Sequence, residues 1–228
     1  MDVSQVSRRK NRRGGGPASR RFWWAAAIVL VAAAAGLLFS VSRPGQAAGW
    51  EAVEEVLGSP DAPLTVVTYV DFSCPHCGTF ALEVEPELVE RYVKTGKVRL
   101  VYRPMAFLGP GSILAAQAGA CVGDQDPALF WPFQRRVFEE LHTSGSQYTR
   151  ENLATMAREI GANAEAVDAC LAAGRYRDTL GRVRRLAIEE DGVRVTPTVL
   201  VGDQKLEGVP EAADFFALID RKLAQTGS

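Results

Sequence analysis

The sequence predicts an α/β domain in which a β-α-β unit and a β-β-α unit share one sheet, with an all-helical block between them. Three observations carry this. Two runs rich in β-branched and aromatic residues, LTVVTYVDF (64–72) and KVRLVYR (97–103), bracket a helical stretch. From Pro104 to about Asp191 no strand signal appears. Strand signal returns in RVTPTVLVG (194–202) and QKLEGV (204–209), ahead of a last helical segment. Neither outer unit buries both faces of a sheet alone, so the two belong together.

Each element has its own reason. LTVVTYVDF is a nearly continuous apolar run of strand length, the pattern of a strand covered on both faces. The helix after it reaches about Thr95, is expected to kink or restart at Pro86, and stops at Gly96. KVRLVYR, reached through that helical crossover, should lie parallel to the first strand. The block then divides into helices at 112–122, 127–142, 149–161, 163–174 and 177–192. In the third, Leu153, Met156, Ala157 and Ile160 form one apolar face behind the cap Thr149, and Gly161 ends it. Gly202-Asp203 suits a tight hairpin, and residues 210–225 close the domain as a helix. Phe130, Trp131, Phe133 and Phe138 read as core of the block, and His142 as a solvated helix-end residue. Asp71 reads as a strand-end carboxylate, with proton acceptance from Cys77 as the alternative. Glu83, Glu85 and Glu87, like Arg182, Arg184 and Arg185, read as solvated faces.

The N-terminus bears on where this domain works. The 228 residues carry a net charge of −1, but residues 1–21 hold seven basic residues against Asp2 alone. This tail runs into FWWAAAIVLVAAAAGLLFSV (22–41), an uncharged stretch about 30 Å long as a helix. A bilayer explains both features, with Trp23 and Trp24 in the headgroup zone, residues 1–21 in the cytoplasm and the rest outside. The tail is therefore not expected to bind nucleic acid. A cleaved signal peptide is the alternative, with GQAAGW as a loose small-residue cleavage site. Residues 42–63 read as a linker, 64–103 and 192–226 as the two halves of the sheet domain, and 104–191 as the helical insertion.

Four cysteines in an exported domain can be disulfides. Two of them stand in VDFSCPHCGTF, at Cys74 and Cys77. Haem attachment requires C-x-x-C-H, and Gly78 occupies the last position. Structural zinc requires four ligands, yet Cys121 and Cys170 lie far from this pair and His76 projects away from it, so no metal is expected. A purely structural bridge across so short a loop would save little chain entropy. Thiol-disulfide redox chemistry remains. Cys74 falls between a strand end and the first turn of a helix, where unpaired N–H groups and the macrodipole favour an anion. Cys77 lies one turn on, so the sulfurs can meet, with Cys74 outward and Cys77 inward. Pro75 suits the first turn, and a protonated His76 would add positive charge beside the Cys74 thiolate. A thiolate ionising near pH ~4 would favour the dithiol by ~4 kcal/mol, roughly 90 mV, and make the disulfide oxidising.

CPHC after a strand, a helical insertion, and VTPTVLVG before a hairpin and terminal helix resemble the DsbA family of thioredoxin-fold thiol-disulfide oxidoreductases. The resemblance spans about residues 60–226 and implies a thioredoxin fold with the helical insertion between its halves. It implies that Cys74 is the exchanging nucleophile, Cys77 the resolving thiol, and Pro75 and His76 tuning residues. It also implies a cis bond between Thr196 and Pro197, with Thr196 exposing its backbone to an extended substrate peptide. The redox-active disulfide is then the sole redox group, with no cofactor. Reduced exported proteins are the substrates, and a quinone-linked membrane protein, DsbB-like or VKOR-like, is the re-oxidant. The expected location is the bacterial cell membrane, spanned once. Thr before the proline departs from the best-known oxidases and resembles disulfide isomerases, although the 22-residue linker leaves no room for an isomerase dimerisation domain. A reductase or isomerase, and a chaperone using the groove at Pro197, are the alternatives. Of the three possible cysteine pairings, Cys74–Cys77 with Cys121–Cys170 is expected, the second closing a loop of ~50 residues as a staple; two buried free thiols are its alternative.

Overall fold

The computed structural model describes residues 49–145 and 147–226. The basic tail and apolar run expected at 1–21 and 22–41 lie outside them. Among the described residues no helix is long and apolar enough to cross a membrane.

One five-stranded sheet organises the domain, with β1 (Glu55–Leu57), β2 (Leu64–Val70), β3 (Val98–Pro104), β4 (Thr198–Val201) and β5 (Gln204–Glu207) in the order β1-β3-β2-β4-β5. β2 and β3 are parallel, as a helical crossover requires, and the other pairs are antiparallel. The register places Val66 beside Leu100 and Val201, and Thr68 beside Tyr102 and Val199, on a single face. That face is covered by α1 (residues 75–93) and α7 (Ala212–Thr226), which bring Phe80, Leu88, Phe215 and Ile219 into its core. On the other face Tyr69 and Met105 pack with Val193 and with Ala187 of α6 (Arg177–Glu189).

The predicted linker is not wholly linker. Trp50–Ala52 forms a 3₁₀ turn, and Glu55–Leu57 joins the sheet as β1, antiparallel to β3. Three residues are too few to display an alternating pattern; pairing with the open edge of β3 makes this strand. Trp50 and Arg103 hold the turn, the guanidinium lying 4.7 Å from the ring and bonding Glu54 at 3.1 Å. β4 starts at Thr198 rather than 194, because residues 194–197 form the loop that ends in the cis Thr196–Pro197 bond.

α1 passes Pro86 without breaking. Its α-helical stretches Pro75–Thr79 and Glu85–Leu88 alternate with π-helical stretches Phe80–Val84 and Val89–Val93. The wider turn before Pro86 tolerates the missing N–H and the bulk of the ring. Glu85 on this helix is not solvated, correcting the expectation: it is 8% exposed and accepts a 3.2 Å hydrogen bond from Gln134 Nε2. Burial pushes its carboxyl up to about 8, with the Gln134 bond opposing.

The insertion holds α2 (Pro110–Gly123), α3 (Pro127–Ser144), α4 (Arg150–Glu159) and α5 (Ala164–Ala172), followed by α6. The starts of α3, α4 and α5 are capped by side chains: Asp126 accepts from Ala128 N, Thr149 and Asn152 form a reciprocal box, and Asn163 accepts from Ala166 N. Phe130, Phe133 and Phe138 are buried in a core that also takes in Phe72 and Tyr102. A disulfide joins Cys121 on α2 to Cys170 on α5, with 6.2 Å between their Cα atoms.

Candidate active site

β2 ends at Val70, and the next residue organises the loop. The buried Asp71 carboxylate accepts from Ser73 N at 2.8 Å with Oδ1, and from Phe107 N at 2.8 Å and Leu108 N at 3.0 Å with Oδ2. It thereby turns its own loop and fastens the loop after β3 beside it. The carbonyl of Asp71 accepts from Cys74 N at 3.0 Å. Cys74 is consequently the N-cap of α1, with an extended backbone, and Pro75 begins the helix where no N–H is required.

This places the Cys74 sulfur against the free amides of the first helical turn. Thr196 meets it from the opposite side: the Cys74 thiol donates to the Thr196 carbonyl at 3.3 Å. The structure therefore brings Cys74, Cys77 and the Thr196–Pro197 loop together, with Pro75 and His76 on the exposed side of the same turn. Cys121 and Cys170 stay apart from the site, in their own bridge. Cys74 is less open than expected: it is 6% exposed against 0% for Cys77, covered by the Thr196 loop. The two thiols are free.

They ionise in opposite directions. Cys74 is lowered from 9.0 to about 5. The Cys77 thiol donating to it is the largest cause; burial opposes, and the Thr196 side chain and the backbone N–H groups of Cys77 and His76 add to the lowering. Cys77 is pushed well above 9.0, by burial first and by the Cys74 bond and charge next. His76 contributes its amide, and its ring is exposed. Ionisation also turns Cys74 from donor to acceptor, so its contact with the Thr196 carbonyl gives way to the N–H and S–H donors. The pair thus stores one anion on the outer sulfur and one proton on the inner.

Of three further neighbours only Tyr148 escaped the sequence reading, and His142 is exposed in the last turn of its helix, as expected. Tyr148, buried in the insertion, donates to the carbonyl of Phe72 at 2.8 Å. His142 lies over Gly78: a Cβ built there would stand 2.4 Å from its Nε2, so the glycine makes room for the ring. Asp71 is neither exposed nor an ordinary strand end, and the pattern Asp71-Phe72-Ser73 carried the available signal, since Asp commonly bonds the amide two residues on. Among the described residues no group of three or more His, Cys, Asp or Glu is placed to hold a metal ion.

A family model described as thioredoxin matches residues 51–221. The disulfide bond formation protein D of Bacillus subtilis is 38% identical over 87 residues, covering 38% of this chain and 39% of that protein. The chain spans less than half the length of the curated relatives it matches first. The crystal structure of oxidised BdbD from Bacillus subtilis superposes with a TM-score of 0.70 at 26% identity, covering 75% of this chain and 93% of that one. Chlamydia trachomatis DsbA superposes with a TM-score of 0.66 at 29% identity, covering 73% and 89%.

Proposed function

The chain belongs to the thioredoxin family, and from that premise we propose that it is a thiol-disulfide oxidoreductase whose Cys74–Cys77 disulfide is donated to exported proteins. The observation that carries the reading is the opposed pair of thiols, Cys74 at about 5 and Cys77 above 9.0. The names and folds of the Bacillus and Chlamydia relatives support it.

The chemistry runs as follows. A substrate thiolate attacks the Cys74 sulfur; the Cys74–Cys77 bond breaks, and Cys77 leaves and takes up a proton. A second substrate thiolate attacks the substrate sulfur of the mixed disulfide, and Cys74 leaves as its stabilised thiolate. Two electrons pass from the substrate dithiol to the cysteine pair. The direction follows from ionisation. At neutral pH a thiol ionising near 5 favours the dithiol state by about 2.7 kcal/mol over an ordinary thiol, roughly 60 mV toward oxidant. The protonated Cys77 is a poor nucleophile for the reverse attack. Thr196 and Pro197 are assigned to the substrate backbone, and Pro75 and His76 to shaping the first helical turn.

The apolar run 22–41 is assigned to a single-pass anchor, with residues 1–21 cytoplasmic and the folded domain outside. Such a tether would hold the domain in the plane of a quinone-linked re-oxidant, DsbB-like or VKOR-like, and raise the effective concentration of their encounter.

The test is an ultraviolet titration of the Cys74 thiolate together with equilibration against glutathione. Ionisation near 5 and an equilibrium lying on the dithiol side are expected, and Cys74→Ser should abolish exchange. A thiol that titrates like free cysteine overturns the oxidising direction in favour of a reductase or isomerase. Undiminished function in Cys74→Ser would instead assign the protein to non-enzymatic peptide holding.

A further inference from the structure

The arginines of α6 and the loop after it form a surface that folding does not account for. Arg177, Arg184, Arg185 and Arg194 are exposed and have no carboxylate partner among the described residues. Elsewhere Arg91, Arg103, Arg136 and Arg150 are ion-paired, while Arg99 and Arg221 stand singly without a carboxylate among the described residues. Arg177 also opens α6, where the macrodipole is positive and disfavours a cation. The patch stands on a chain whose residues after 21 sum to a net negative charge.

A built cavity adjoins it. Arg177 lines a space of about 380 Å³ whose other walls are Pro110, Ile113, Leu114 and Gln117. Gln117, 1% exposed, also lines it, and its Oε1 is buried without a hydrogen-bond partner. The loop after β3 runs from the Asp71 carboxylate to the cavity wall at Pro110. Arg184 lies 5.9 Å over the Phe107 ring. Leu108, 48% exposed, is fixed through its amide to Asp71 and precedes Pro110 by two residues. Val195, 41% exposed, stands between Arg194 and Thr196.

We propose that this face receives an acidic, apolar polypeptide segment flanking the reacting cysteine of a substrate, with an apolar side chain in the Ile113–Leu114 cavity and carboxylates on Arg177 and Arg184. The assignment rests on the exchange reading for what is delivered to Cys74. A peptide answers both features: a side chain for the apolar walls, and carboxylates for the guanidinium forks. An anionic membrane would answer the charge, but the exposed Leu108 and Val195, set beside the Asp71 and Thr196 loops of the thiol site, favour a segment of the substrate chain.

The experiment uses the full chain in its oxidised form. Two peptides each carry one cysteine followed by leucine and a pair of charges, glutamates in one and lysines in the other. Their rates of reducing the disulfide are normalised to their rates with a small-molecule disulfide. The glutamate peptide is expected to react about tenfold faster at low salt, with the advantage shrinking as salt rises. In the Arg177→Glu, Arg184→Glu double variant the preference should vanish or invert, while the rate with dithiothreitol stays unchanged. Both side chains are exposed and neither makes an ion pair among the described residues, so the variant keeps its fold. Equal rates for the two peptides in wild type, or an unchanged ratio in the variant, overturn the proposal. Charge-dependent binding to phosphatidylglycerol vesicles without peptide preference also overturns it and assigns the face to lipid. A wild-type disulfide inert to dithiothreitol would sink the exchange reading instead; fluorescent serine versions of the peptides, titrated by anisotropy, still decide the surface.

Discussion

The hydroxyl of Tyr148 donates to the backbone carbonyl of Phe72 at 2.8 Å, so the helical insertion is fastened to the strand end that carries the cysteine pair. The bond spans 76 residues of sequence and is fully buried.

Removing that hydroxyl leaves the Phe72 carbonyl without this donor. Tyr148→Phe should lower stability by about 1–2 kcal/mol, read as a shift of the urea midpoint at constant slope. A change in exchange rate larger than the change in stability would show that the bond also sets the position of Cys74.

The ionisation of Cys74 makes stability depend on redox state and pH. In the dithiol form its folded value, about 5, lies below the ordinary 9.0, so the native state binds fewer protons than the unfolded chain between those limits. The resulting stability is fully present above 9.0 and is lost as pH falls through 5. The disulfide form lacks this contribution. The stability difference, dithiol minus disulfide, should therefore climb by about 1.4 kcal/mol per pH unit between roughly pH 5.5 and 8.5. Above 9.0 the raised Cys77 reverses the trend. Denaturant unfolding of both forms across pH checks it, and a flat difference refutes the depressed thiolate.

Glu85 acts with the opposite sign. Its carboxyl is raised from 4.5 to about 8 by burial, so the native state holds a proton that the unfolded chain gives up, and stability declines through that window. Glu85→Gln removes the penalty and keeps an amide facing Gln134. It should stabilise the protein by about 3 kcal/mol at neutral pH and little at pH 4.

Two glycines offer a paired comparison. A Cβ at Gly123 would stand 1.8 Å from Oε1 of the buried Glu55, whereas a Cβ at Gly78 would meet the far end of the exposed His142. Gly123→Ala should cost about 2 kcal/mol through overpacking. Gly78→Ala should change stability by less than about 1 kcal/mol, because the ring can move aside and alanine favours the helix. Thermal melts of the two variants distinguish these outcomes.

The Cys121–Cys170 bridge closes a sequence separation of 49. Replacing both cysteines with alanine should destabilise the domain by about 2–4 kcal/mol. The rate of exchange at Cys74 with dithiothreitol should stay within about twofold, since the bridge takes no part in that chemistry.

The parts legible in the sequence were those written in contiguous residues. The strands at 64–72 and 97–103, the cap at Thr149 and the hairpin at Gly202-Asp203 each follow from short-range pattern, and the structure has all four. The pairing of Cys121 with Cys170 needed the family resemblance and the cysteine count together. The misses were set by partners distant in sequence. Glu85 has the composition of a solvated face yet is buried, bonded by Gln134 from 49 residues away. β1 is a strand only because β3 has an open edge. Asp71 received a local reading, while two of its three donors come from Phe107 and Leu108.

The short strand at Glu55–Leu57 has a consequence for a molecule whose proposed trade is with unfolded chains. It occupies the outer side of β3, and the opposite margin of the sheet, β5, shows solvent Gln204, Lys205 and Glu207. Brief, charged margins are poor templates for stray strand pairing and hence for aggregation. On the proposed function, a client chain would find little at the rim of the sheet to pair with.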